Sequence, residues 1–140
     1  MTGTSFFMPM EPPTITAQQG NRIGVTQGGK KYVYKNARLL DAQAKLCAHL
    51  SRHADGIPAC GPLRLSVQWL FPAAGKHKDG DYKTTKPDTD NLQKLLKDCM
   101  TREGFWTDDA QVCEEFVGKY WATIPGILVH ITPLNQQKQI

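Results

Sequence analysis

In the run LRLSVQWLF every second residue, Leu63, Leu65, Val67, Trp69 and Phe71, is large and apolar. Successive side chains of a strand point to opposite faces, so strict alternation of this kind specifies a β-strand with one buried face. Gly56, Pro58, Gly61 and Pro62 mark turns immediately before it. A chain of 140 residues with this strand at its centre falls in the size range of one compact domain with a modest core.

The flanking segments read differently. Ser5 to Met10 reads as a short first strand stopped by Pro12 and Pro13, and the glycine-rich, basic stretch from Gly20 to Lys31 reads as a mobile loop closed by YVYKN. From Asn36, a candidate N-cap, Leu39, Leu40, Leu46, Cys47 and Leu50 follow helical spacing to about His53. Ala73 to Lys86 has no period of either kind and reads as an exposed loop. A second helix is predicted from Thr89 or Asp90 to Arg102, ended by Gly104. Gln111 to Ala122 and Gly126 to Thr132 read as two strands paired as a hairpin around Pro125 and Gly126, and PLNQQKQI reads as a polar tail. The expectation is a single α/β (α+β) domain, with a small mixed sheet and two main helices. No internal repeat or low-complexity tract divides it.

The chain has 17 Lys and Arg against 13 Asp and Glu, a formal charge of +4. That balance is compatible with a polyanionic partner without requiring one, so the clustering of bases over 22–38 and 76–102 carries more weight. Cys47, Cys60, Cys99 and Cys113 form no CxxC pair, which suggests reduced thiols, Cys47 and Cys99 as small buried hydrophobes. No apolar run is long enough to span a membrane and no leader pattern precedes the domain, giving the expectation of a cytoplasmic address.

Four acids stand out: Asp88 and Asp90 in KPDTDNLQKLLKD, and Asp108 and Asp109 in GFWTDDAQV. On a helical projection from Asp90, residues Lys94, Lys97 and Asp98 share one side, while Leu92, Leu95, Leu96 and Cys99 share the opposite one. The helix therefore packs by one face and offers a charged face. Asp88 and Asp90 at its start allow two carboxylates to converge where backbone N–H groups point outward, a place for a hard divalent cation. The plain reading is that Asp90 caps the helix, Asp88 is a solvated loop charge and Lys94 forms an exposed Asp–Lys pair worth about 0.2–0.5 kcal/mol. Lys97 reads as solvated. Phe105 and Trp106 read as core under the helix end, and Asp108 either as an exposed turn acid or as a partner of the metal-binding acids.

Over Lys86 to Val112, the strings DTDNLQK and GFWTDDAQV resemble the RusA family of Holliday-junction resolvases of bacteria, phages and prophages. The resemblance implies a small homodimeric α/β protein that uses Mg²⁺, or Mn²⁺ in its place, to cut four-way DNA junctions by paired symmetric incisions. It implies metal-site roles for Asp88, Asp90 and Asp109, and catalysis by Lys94. Phosphate contacts then fall to Arg22, Lys30 and Lys31 upstream and to Lys76, Lys78, Lys83 and Lys86 in the second loop.

Other readings fit less well. A non-catalytic nucleic-acid-binding module has the necessary charge but little use for three aspartates that repel phosphate. A DxD phosphatase needs its aspartate nucleophile at a strand end. An EF-hand fails because neither the glycine nor the glutamate of the loop follows Asp88 at its required place. His49 and His53 have a metal-binding spacing but no third ligand nearby, and read as helix-surface residues.

Overall fold

The structure is a computed structural model that describes residues 3–15, 21–35 and 37–135. The proposed cap Asn36 and residues 136–140 of the tail lie outside the described residues. The elements follow in the order β1 (Thr4–Met8), β2 (Asn21–Val25), β3 (Lys31–Lys35), α1 (Ala37–Ser51), β4 (Leu63–Pro72), α2 (Thr89–Arg102), a 3-10 turn (Asp109–Gln111), β5 (Val112–Ala122) and β6 (Gly126–Pro133). This is one α+β domain with a four-stranded mixed sheet, a two-stranded ribbon and two helices. No helix among the described residues is long and apolar enough to cross a membrane.

The alternating strand takes the position its pattern demands. β4 lies inside the sheet, in the order β1-β6-β4-β5, and its five alternating apolar residues are all buried. Both helices contribute to the same core, Leu39, Leu46 and Leu50 from α1 and Leu92, Leu95, Leu96, Cys99 and Met100 from α2. Burying each leucine contributes about 1.5–3 kcal/mol relative to exposure, so the apolar stripe of α2 fixes which face that helix turns outward.

β5 and β6 are not the expected hairpin. β4 lies between them, antiparallel to β6 and parallel to β5. A hairpin would have pushed β4, the strand with the most complete buried face, out of the middle of the sheet. Ala122 and Gly126 instead bridge two inter-strand spacings, about 9.6 Å, which the extended residues between them can reach. The parallel pairing makes β4-α2-β5 a βαβ unit, with the helix as the crossover that parallel strands require.

The stretch expected to be a mobile loop is also ordered. β2 and β3 pair antiparallel from Asn21↔Lys35 to Val25↔Lys31, and Thr26 and Lys30 close the turn. The ribbon escapes a periodicity test because the apolar side chains described on it are exposed, Ile23 69% and Val25 61%. The Tyr32 ring lies over Gly24, where a Cβ would fall 2.2 Å from its Cζ and displace it.

Candidate active site

Asp88 occupies the N-cap position of α2, with φ −75° and ψ 150°, and its carbonyl accepts the Leu92 N–H at 3.1 Å. The cap is therefore Asp88 and not Asp90, yet the Asp88 carboxylate makes no capping hydrogen bond. Asp90, in the first turn, accepts among the described residues only the N–H of its neighbour Asn91, at 3.0 Å. Both acids are exposed, and no ion pair among the described residues engages either. The positive end of the helix dipole favours two carboxylates here and offsets part of their mutual repulsion.

The approach to Asp88 is pinned from β5. Lys119 Nζ donates to the carbonyls of Thr85 and Pro87, both at 2.7 Å. Lys83 differs from the other loop bases. It is buried, donates to Thr85 Oγ1, and lies 4.4 Å from the Trp121 ring centroid and 5.1 Å from that of Phe71. Burial, and then the charge of Lys119, lower its pKa. Its ammonium therefore already has the two rings and Thr85 as neighbours, unlike the exposed bases of the same loop.

Lys94 lies one turn along α2 with its side chain 67% exposed, and its only ion pair among the described residues is a loose one to Asp98 at 3.8 Å. Such an exposed contact contributes little and leaves the ammonium free to turn. Lys97 is partly solvated, its side chain 24% exposed, and it also donates to Glu115 at 3.0 Å, while Glu115 accepts from Gln93 at 2.6 Å as well. Gln93 in turn accepts the indole N–H of buried Trp69 at 2.8 Å. This chain ties α2 to β4 and β5 and explains a buried glutamine within the DNLQK string. Its partners are too distant in sequence for any local pattern to connect them.

The other end of α2 is fully satisfied. Glu103 and Gly104 donate back to Cys99 and Thr101, Gly104 having φ +81°. Phe105 and Trp106 are buried as expected, with the Trp106 indole N–H on Thr101 Oγ1 at 2.7 Å. Of the two adjacent acids, Asp108 is structural. Its carboxylate caps the 3-10 turn through Ala110 N–H at 2.8 Å, and Gln111 closes the reciprocal half of a capping box. Gln111 also donates to the carbonyls of Ala59 and Gly61 at 3.0 Å. Asp109 is half-buried, and no ion pair among the described residues engages it.

Two independent rulers separate Asp109 from the first pair of acids. Asp88 caps α2 and Asp90 is its second residue, and the 14 residues of that helix span about 21 Å from end to end. Along β5, Val112 is next to the 3-10 turn while Lys119 reaches Pro87, and seven strand residues cover about 23 Å. One chain therefore brings Asp88 and Asp90 together and leaves Asp109 roughly a helix length away. Accordingly, no group of three or more His, Cys, Asp or Glu that could hold a metal ion is found among the described residues.

Of the remaining bases, Lys30, Lys31, Lys76, Lys78 and Lys86 are exposed, while Arg22 lies on β2 opposite Tyr34 with a side chain outside the described residues. His53 stacks on Phe6 at 4.4 Å, and burial, Arg52 and His53 lower the pKa of His49. The four cysteines are free, and burial pushes the Cys99 thiol up to about 12.

A small α+β domain with paired carboxylates at the entry of a crossover helix is the setting in which the comparisons with known proteins fall. Residues 9–132 match the family model described as endodeoxyribonuclease RusA, and the chain belongs to that family. It is similar to the crossover junction endodeoxyribonuclease rusA of Lactococcus phage r1t, 41% identical over 51 residues, or 36% of this chain and 39% of that protein. It is also 51% identical over 41 residues to the enzymes of Escherichia coli K12 and Enterobacteria phage 82, which is 29% of this chain and 34% of each. These alignments thus span 34% to 39% of the relatives' own lengths.

Proposed function

We propose that this chain is a metal-dependent endodeoxyribonuclease that resolves four-way DNA junctions, and that it does so as a homodimer whose two active sites each draw on both copies. The observation that carries the reading is the placement of its acids. Among the described residues no ion pair engages Asp88 or Asp90 at one end of α2, nor Asp109, which lies beyond the other end of a helix about 21 Å long. A second copy related by a two-fold axis can bring its own Asp109 to the first copy's Asp88 and Asp90, and the reverse, which yields two equivalent sites for two symmetric cuts.

The donor set fits a hard cation. Oxygen ligands without histidine or thiolate suit Mg²⁺, with Mn²⁺ able to replace it, and Mg²⁺ commonly takes only one or two protein carboxylates beside the phosphate. When bound, such an ion supplies the Lewis acidity that activates water and offsets charge on the attacked phosphate and the leaving oxygen. The protein's own part is positional. Asp88 and Asp90 would hold the ion at the start of α2. Lys94, loosely paired and on the same exposed side, turns towards the phosphate and neutralises growing negative charge. Lys30, Lys31, Lys76, Lys78 and Lys86, with Arg22, hold the sugar-phosphate backbone, so that affinity falls steeply with salt. A purely binding role leaves three unpaired aspartates facing a polyanion with nothing to offset them.

The test is cleavage of a labelled four-way junction with Mg²⁺ and with EDTA, using wild type, Asp90→Asn, Asp109→Asn and a refolded mixture of the two variants. Each variant alone is expected to be inactive. The mixture should recover cutting, because each mixed dimer contains one site with Asp90 from one chain and Asp109 from the other, both intact. Cleavage by wild type in EDTA would end the metal reading, and an inactive mixture of well-folded chains that exchange subunits would end the shared site.

A further inference from the structure

The carboxylate of Asp88 has no side-chain tether, so its place is inherited from the backbone that leads to it. That backbone is fastened to β5 at one residue above all. The Lys119 ammonium donates to the carbonyls of Thr85 and Pro87, at 2.7 Å each, bracketing Lys86 and ending one peptide before Asp88. The main-chain carbonyl of Lys119 also accepts the Lys83 N–H at 3.1 Å, and just beyond it along β5 Tyr120 bridges Tyr82 and the Trp121 N–H donates to the Asp81 carbonyl at 2.8 Å. The loop is thus laced along the free edge of β5, and the lysine side chain is the last stitch before the acids.

We propose that Lys119 is a positioning residue for the metal-binding carboxylates Asp88 and Asp90, holding the Thr85–Asp88 segment through its two carbonyl contacts. This rests on the functional reading above. Charge-assisted hydrogen bonds to carbonyls are stronger than neutral ones, and two from one ammonium fix a segment rather than a single point. Lys83 supports the same segment from the other side through Thr85 Oγ1, but only through a hydroxyl rotor, so it cannot replace the carbonyl contacts. No local pattern marks Lys119, which lies in a strand distant from both acidic motifs.

Lys119→Met keeps the aliphatic stem and removes the charge and donors, and Lys119→Arg retains two donors. The measurement is binding of Mn²⁺ alone, without DNA, followed by the electron paramagnetic resonance of the free ion, together with amide exchange over residues 85–92 and gel shift of a four-way junction in EDTA. Lys119→Met should bind Mn²⁺ about tenfold or more weakly, exchange faster over 85–92, and hold the junction as wild type does. Lys119→Arg should recover most of the Mn²⁺ affinity. Should Lys119→Met fail to fold, Lys119→Gln is read in the same way. Wild-type Mn²⁺ affinity in a folded Met or Gln variant overturns the proposal, as does a loss that arginine does not rescue. A wild-type protein that binds Mn²⁺ but cuts no junction defeats the functional reading alone and leaves Lys119 to be decided by the Mn²⁺ comparison. If wild type binds no Mn²⁺, the role given to Lys119 falls with the metal site.

Discussion

The two ends of α2 are built on opposite principles. At its C-terminal end the backbone turns back on Cys99 and Thr101, two aromatics are buried, and Asp108 and Gln111 satisfy one another in a capping box. At its N-terminal end the cap residue offers a carboxylate that caps nothing, and a second acid follows two residues later with only a neighbouring N–H for company. Removing an interaction at the satisfied end should cost stability, whereas removing a group at the open end should cost chemistry. The adjacent acids 108 and 109 show the same division within one dipeptide, because the first is consumed by the cap and the second is not.

The largest effect belongs to the satisfied end. Trp106→Ala should lower unfolding free energy by about 3–5 kcal/mol, through the lost volume and the lost indole bond to Thr101 Oγ1, as read from a denaturant titration. A loss under about 1 kcal/mol would mean that the aromatic anchor does not hold the turn before Asp108. Next comes Asp90→Asn, expected to slow single-turnover cleavage by on the order of 10²-fold, about 2.7 kcal/mol in the barrier. Its melting temperature and its junction binding in EDTA should stay near wild type, because asparagine is nearly isosteric and one repulsive charge is gone. If binding and cutting fall together, the open end is not specialised for chemistry. The smallest effect sharpens the contrast within the dipeptide: Asp108→Ala should cost about 1 kcal/mol of stability and leave the cutting rate of the folded protein nearly unchanged, the reverse of Asp109→Asn. A collapse of cleavage in a stable Asp108→Ala protein would transfer the catalytic role from Asp109 to its neighbour.

Much of this contrast is legible in the amino-acid sequence. Strand β4 follows from alternation, α2 from its apolar stripe and the Gly104 stop, and the burial of Phe105 and Trp106 from their place after the helix. The pairing of residues distant in sequence is not legible. Alternation says that 112–122 and 126–133 form strands, but nothing within them says that β4 separates them. The ribbon 21–35 stays hidden because its exposed faces impose no apolar period.

For the site, local sequence settles which side chains are available: two acids at a helix entry, a lysine one turn on, and an acid pair after a buried turn. Local chemistry and helical period depend only on neighbours along the chain, and a single sequence carries both. Tertiary packing was needed to bury Lys83 against Trp121 and Phe71, to give Lys97 to Glu115, to set Lys119 on the approach to Asp88, and to leave Asp109 at the far end of α2. Each of these depends on which strand lies beside which. That choice is set by how whole apolar faces share one core, and no short window of residues contains it.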